Sequence, residues 1–490
     1  MKKAHGKVGL FGIGLAAYWP QFAGLKERLE GYQSIVASRL RQFCEVVDAG
    51  LVDSAPKAAA AGEQFAREGV ELVVCYVATY ATSSQVLPAV QKTHAPVLVL
   101  NLQPVSALDY ARTDTGEWLA NCCACCVPEI ACAFARSRID FHVVTGVLGV
   151  TNGHFREASP THPDAQRAWN EIEHWVRAAS AVSQLKTSRI GFLGQTYPGM
   201  LDMYSDFTQH TAQLGTHIEV LEMCDLAARL PSAEEKVVGE KHAEAELIFN
   251  ISEDSPSDPL ARAPAPEQME WACQVAVALD RLAADFNLQG LAYYYRGLDG
   301  NEYERLGAGL ILGCSLLTAR GIPASGEGDL KNCQAMKILD LLGCGGSYTE
   351  FYAMDFDENF LLMGHDGPFH LKIAEGRPML RGLGLYHGKR GYGVSVEARV
   401  KLGPVTLLAM TQTAEGQLKL LATEGESIPG PTLQIGNTNS RIRFACGLTN
   451  FVNRWCLEAP THHCALGVGR VLPVVRNIAA LLKLPYVEIG

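Results

Sequence analysis

The run Glu71-Leu72-Val73-Val74-Cys75-Tyr76-Val77 decides the fold. It is short and continuously apolar, the pattern of a strand in a covered parallel sheet. The same rhythm extends outward. Upstream stand a strand from Val8 to Ile13 and a helical pattern across Leu25 to Val47. Downstream come a helix near Ser84 to Gln91, a strand from Pro96 to Leu102, and a strand from His142 to Val150. Strands alternating with crossover helices predict a parallel α/β sheet. The polar stretch Thr151 to Asp164, with two prolines, marks a domain boundary near residue 160.

A second α/β unit follows. It comprises the strand Arg189 to Leu193, a helix near Leu201 to Leu214, the run His217 to Met223, and a long helix around Pro266 to Asp285. That helix carries Ala272, Val275, Leu279 and Leu282 on one face. Ser252 to Pro259 reads as a loop, Gly290 to Tyr295 as a strand, and Tyr303 to Ala319 as a helix. Beyond Phe351 the texture changes. Gly393 to Leu402, Val405 to Gln412 and Gln417 to Glu424 are short segments between glycine-rich turns, which reads as antiparallel β. The expected architecture is two Rossmann-like parallel-sheet α/β domains, residues 1–160 and 161–326, followed by a C-terminal antiparallel β-barrel-like domain, residues 327–490.

At 490 residues with 48% hydrophobic content the chain supports real cores and is not disordered. A net charge of -10 without any lysine or arginine run disfavours a nucleic-acid partner. No apolar run reaches the length of a membrane span, and Met1 to Lys7 leads straight into a strand without a signal-like apolar core, so no membrane association is expected. The fifteen cysteines cluster and fall within apolar elements, as with Cys75 and Cys314, which suits reduced thiols and a cytoplasmic location.

Two local features invite chemistry. Cys122/Cys125 and Cys123/Cys126 are both CxxC pairs, yet no second CxxC completes a four-thiolate site. The segment Trp118 to Phe134 reads as one helix of small apolar residues in which cysteine packs as a compact hydrophobe. Gly12-Ile13-Gly14 is half of a dinucleotide fingerprint without its third glycine, and Tyr18-Trp19-Pro20 interrupts where a helix would begin. That stretch reads instead as a loop offering Trp19 and Gln21 to a sugar, with a buried Trp19 serving only the core as the alternative.

Four side chains form a candidate divalent-metal set: Glu327, Glu350, His365 and His463. Each lies where a turn follows or interrupts an apolar segment. Carboxylate oxygen favours Mg²⁺ or Mn²⁺, imidazole shifts the choice toward Mn²⁺, Co²⁺ or Zn²⁺, and the lack of thiolate argues against structural zinc. Mn²⁺ is the expected ion. The intervals of 23, 15 and 98 residues match no short motif. By residue type alone, Glu327 also suits a solvated carboxylate or a helix N-terminal partner, His365 a hydrogen-bonded strand end, and His462-His463 an exposed loop. Lys331 suits either a partner for Glu327 or an exposed position.

These residues carry a resemblance to the L-arabinose isomerase family, within the L-fucose/L-arabinose isomerase group, over most of the chain. Glu327-Gly328-Asp329, a hydrophobic residue and Lys331 resemble the family's EGDWK segment. Glu350 before Tyr352 and Phe356, Gly364-His365, His462-His463, Val143-Val144-Thr145-Gly146, and Pro378-Met379-Leu380 with Gly388-Lys389 are similar to further family segments. The resemblance implies that Glu327, Glu350, His365 and His463 bind Mn²⁺ and that Glu327 and Glu350 transfer the proton in aldose–ketose isomerisation through a cis-enediol. His462 is the lesser member of its doublet. The resemblance also implies a homo-oligomer, tetramer or hexamer, whose N-terminal loop reaches a neighbouring subunit's active site.

Where the family carries Asn-Gln-x-Ala-His, this chain has Asn121-Cys122-Cys123-Ala124-Cys125, so recognition of the distal hydroxyls is expected to differ and the sugar to be a pentose or hexose other than L-arabinose itself, an L-arabinose-like pentose or a related hexose such as D-galactose or L-fucose. Lys389, in the loop Gly382 to Gly393 with His387, Arg390 and Tyr392, is a third sugar-contacting candidate, a solvated turn being the alternative. Two other classes answer to the same residues: a metal-dependent hydrolase, and a non-catalytic sugar-binding protein.

Overall fold

The computed structural model describes residues 6–490 apart from 155, 255–257, 259, 297–300, 384 and 387–388. It divides into two compact units, Met1–Ser183 and Gln184–Gly490.

The first unit is built on a five-stranded parallel sheet in the order Glu45–Val52, Lys7–Ile13, Leu72–Val77, Val97–Gln103, Phe141–Val147. The quoted run sits at its centre, and Leu72 through Val77 are buried throughout. Phe11, Val73, Cys75, Val99, Ile130 and Phe134 share one core cluster. Two expectations need correction. The helix from Leu25 stops at Leu40, and Glu45–Val52 is an edge strand. An edge strand is only half-buried, so it lacks the continuous apolar run that marks a central one. The expected single helix from Trp118 to Phe134 is two, Thr115–Leu119 and Val127–Arg136, separated by a turn. Proline is at home in the first turn of the second helix and would break the interior of a continuous one.

The second unit holds a four-stranded parallel sheet ordered Ala324–Ser325, Gly290–Tyr294, Arg189–Gly194, His217–Leu221. The helix Pro266–Asp285 covers it, burying Val275, Leu279 and Leu282 as the periodicity predicted. The predicted helix Tyr303 to Ala319 is interrupted into Glu302–Gly307 and Ile311–Ala319, around the poor helix formers Gly307 and Gly309. A helix not foreseen, Lys236–Ile248, packs Ala245 into the core shared with the β-rich part.

The remainder is a closed antiparallel barrel of six strands. Around the ring they run Gly403–Gln412, Cys464–Val468, Gly345–Asp355, Phe360–His365, Thr438–Arg443 and Leu418–Ser427, and the last pairs back onto the first. Closure leaves no exposed sheet edge among these strands. The expected α/β class with a C-terminal antiparallel barrel is what the chain adopts. Leu330–Leu341 is a fully interior helix, with Leu330 to Leu339 all buried. No helix among the described residues is long and apolar enough to cross a membrane.

Candidate metal centre

Register brings three of the predicted side chains to one rung of the barrel. Glu350 pairs with Gly364, next to His365, and Thr349 pairs with Cys464, next to His463. Glu350 and His365 thus stand on adjacent strands, and His463 immediately precedes the third, Cys464–Val468, at the same level. Glu327 arrives from the parallel sheet, in the turn following Ala324–Ser325, at the carboxyl end where open α/β sheets place their ligands. The sequence separation that hid this set is the barrel's own circumference folded back on itself.

The turn holding Glu327 is strained. Its φ is +59°, a left-handed value unusual for a residue with a side chain. Gly328 follows at φ +69°, and a Cβ there would lie 2.3 Å from the carbonyl oxygen of Gln195, so only glycine fits. Tyr197 donates its backbone N–H to the Glu327 carbonyl at 2.8 Å, which fixes the turn.

The ligand atoms do not form one quartet. They fall into two overlapping triads, Glu350/His365/His463 and Glu327/His462/His463, with the atoms of each triad within 4.8 Å of one another. His463 belongs to both. Its Nε2 lies 3.5 Å from Glu327 Oε2, while His365 Nε2 lies 4.0 Å from Glu350 Oε1. Burial is deep: Glu327 is 5% exposed, His365 3% and His463 0%. Two carboxylates and two or three imidazoles, with Glu327, His365 and His463 buried and Glu350 and His462 partly exposed, are a donor set that fits a divalent ion of intermediate hardness.

Supporting carboxylates that the sequence did not reveal orient the imidazoles. Asp329 is fully buried; its Oδ1 caps the interior helix through the Asn332 N–H at 2.9 Å, and its Oδ2 takes the His463 Nδ1–H at 3.0 Å. Burial alone would raise the Asp329 carboxyl, but the bond from His463, its charge and that of Lys331 hold it below the ordinary value. This carboxylate–histidine pair is the arrangement that fixes a ligating ring. An Asp three residues before Asn332 is a readable cap signal; nothing in the sequence announced its second task.

Asp202 does the same for His462, at 2.6 Å from Nδ1. The His462 Nε2 then faces Glu327 Oε2 at 3.7 Å. Burial would lower the ring's pKa, yet Asp202 and Glu327 push it up to about 10. His462, set aside by the sequence reading, therefore stands within the cluster. Asp366 lies 2.9 Å from His365 Nδ1; burial lowers that imidazole, and Asp366, Glu350 and Glu327 more than offset it, so it is raised. Burial sets the direction at His463, which is lowered.

Lys331 corrects its expectation. It is 1% exposed and donates to the Tyr204 carbonyl at 2.9 Å and to Ser205 Oγ at 3.1 Å, so it is no surface lysine. It is buried because its helix is interior on every side. Trp19 and Gln21 belong to the first unit. The Trp19 indole donates to Asp53 Oδ2 at 2.9 Å and packs beside Gly14, while Gln21 is exposed and folds its amide back onto the Ala17 carbonyl at 2.7 Å. Lys389 forms a two-residue strand with Arg390, paired through Tyr386; its side chain, His387 and Gly388 lie outside the described residues.

All fifteen cysteines are free thiols. Cys122, Cys123 and Cys126 are buried and Cys125 is exposed. Burial, with Cys125 alongside, pushes the Cys122 thiol up to about 12, and burial pushes Cys126 up to about 11. Raised thiols are poor ligands and poor nucleophiles near neutrality.

Fold and cluster together define an α/β protein with a β-barrel whose rim and adjoining sheet end form a buried acid–imidazole centre. Its relatives are sugar isomerases. A sulfoquinovose isomerase from Alkalicoccus urumqiensis is 24% identical over 332 residues, 67% of this chain and 71% of that one. L-arabinose isomerases from Aeromonas salmonicida (strain A449) and Koribacter versatilis (strain Ellin345) are 19% and 22% identical, over 85% and 70% of this chain and 80% and 65% of theirs. The resemblance to the L-arabinose isomerase group is thus supported at low identity. No family model matches the chain. A solved ABC-transporter solute-binding protein from Burkholderia multivorans aligns at a TM-score of 0.14 and 14% identity over 61% of this chain and 82% of its own, too low for a shared fold.

Proposed function

We propose that this chain is an Mn²⁺-dependent aldose–ketose isomerase of the cytoplasm, acting on an open-chain aldose through a cis-enediol. The observation that carries the reading is the pair of overlapping triads, Glu350/His365/His463 and Glu327/His462/His463, joined at the buried His463, in a chain whose relatives are sugar isomerases. Glu327, Glu350, His365 and His463 would hold a divalent cation, which would supply Lewis acidity toward the sugar. Glu327 and Glu350 are the proton-transferring pair: one carboxylate takes the proton from C2 and a proton returns at C1, while the O2 hydroxyl proton passes to O1, so composition is unchanged. Asp329 keeps His463 in the tautomer that presents Nε2. Trp19, Gln21 and Lys389 contact the sugar. The assembly is a homo-oligomer, tetramer or hexamer, in which the N-terminal loop serves a neighbouring subunit's site.

The sugar is an L-arabinose-like pentose or a hexose such as D-galactose or L-fucose; sulfoquinovose enters the panel because one relative is named for it. The test is incubation of Mn²⁺-loaded protein with these four aldoses, followed by ketose detection, with an EDTA-treated control. Ketose formed from one of them, lost on chelation and restored best by Mn²⁺, is the expected result. Failure to form ketose from all four, or products of altered composition as a metal-dependent hydrolase would give, overturns the reading.

A further inference from the structure

The ligand atom of His463 is already engaged. Its Nδ1 faces Asp329 Oδ2 at 3.0 Å, and a carboxylate only accepts, so Nδ1 carries the ring proton and Nε2 the lone pair. Tyr348 Oη stands 2.8 Å from that Nε2, so the phenol donates to it.

The ring is built in. Tyr348 is 1% exposed and lies against His365 and His463, with ring centroids 4.0 Å and 4.6 Å away. Two glycines are cut away to admit it: a Cβ on Gly326 would come 3.0 Å from Tyr348 Cε1, and one on Gly367 2.9 Å from Cδ1. The phenol is therefore held where the cation's nitrogen donor points, in a close-fitting slot.

We propose that Tyr348 is a positioning residue that competes with the divalent cation for Nε2 of His463. This rests on the cation reading of the preceding section. While the ion is away, the phenol satisfies a buried acceptor and holds the imidazole aimed. An ion bound at Nε2 would require the phenol oxygen, 2.8 Å away on the same lone pair, to shift off it and its O–H to turn to another acceptor in the cluster. The hydroxyl thus weakens ion binding and, in exchange, keeps the unloaded centre ordered.

Tyr348→Phe keeps the ring and removes the O–H. The unloaded variant then buries an unsatisfied Nε2 and the loaded one does not, so Mn²⁺ binding tightens by about two- to tenfold, the equivalent of one hydrogen bond's net worth. Titration calorimetry with Mn²⁺ on EDTA-stripped wild type and variant measures this. Thermal melting adds a second reading: the metal-free variant melts below metal-free wild type and gains more from Mn²⁺. Wild type alone gives a third, a tyrosine ultraviolet difference spectrum on adding Mn²⁺ as the phenol changes its acceptor. An unchanged or weaker Kd in a folded variant, or a wild-type tyrosine spectrum indifferent to saturating Mn²⁺, overturns the role of Tyr348 and leaves the isomerase reading intact. Wild type that binds no Mn²⁺ at all overturns both.

Discussion

The turn after Lys7–Ile13 and the turn after Ala324–Ser325 both leave the carboxyl end of a strand in a parallel sheet, the first strand interior and the second at the edge, and they are filled in opposite ways. In the first, the Trp19 indole packs beside Gly14 and bonds Asp53 at 2.9 Å, which is ordinary wedge-and-anchor packing. In the second, a carboxylate is buried on a left-handed backbone, grouped with His462 and His463. Strain and buried charge both cost stability, and a fold keeps them together only where surrounding contacts over-determine them. The difference teaches where to look: the carboxyl end of a parallel sheet is permissive, and the turn that spends stability marks the site.

The largest effect expected from breaking this contrast is at Glu327 and Glu350. Replacing either with Gln should lower turnover by roughly 10²–10⁴-fold, the range of a lost general acid or base, while circular dichroism stays native. Turnover near wild type in both variants would erase the distinction between the two turns. Next is Asp329→Asn, which removes the carboxylate that fixes the His463 tautomer; Mn²⁺ affinity should fall by about 10–100-fold, measured by calorimetry.

A smaller effect sharpens the first turn. Trp19→Phe deletes the bond to the buried Asp53 and should cost about 1.5–3 kcal/mol in chemical denaturation, the worth of a hydrogen bond to a charged group. Should the ring also touch the sugar, KM rises as well; an unchanged KM assigns Trp19 to the core alone. The smallest effect is at Cys125, exposed beside thiols that burial keeps protonated. Cys125→Ala should leave metal content and ketose formation unchanged and shift stability by no more than about 0.5 kcal/mol.

Much of the fold was legible. Leu72–Val77 and Pro266–Asp285 followed from their apolar patterns, and the antiparallel texture near Val405 to Glu424 announced the barrel. Elements that failed did so where burial was partial or a local breaker intervened, as at the half-buried edge strand Glu45–Val52 and the proline-started helix Val127–Arg136. Lys331 misled because a lysine's usual surface position gives way when its helix is enclosed on all sides.

The sequence by itself determined the alternation of strands and helices, the later barrel and four metal-compatible side chains, because periodicity, turn chemistry and ligand hardness are local properties. Tertiary structure alone decided that Glu350, His365 and His463 share a rung, that Asp329 and Asp202 orient the imidazoles, and that the phenol of Tyr348 holds the lone pair of His463. Those relations depend on strand register and barrel closure, which join residues more than a hundred positions apart and leave no trace in any short stretch of chain.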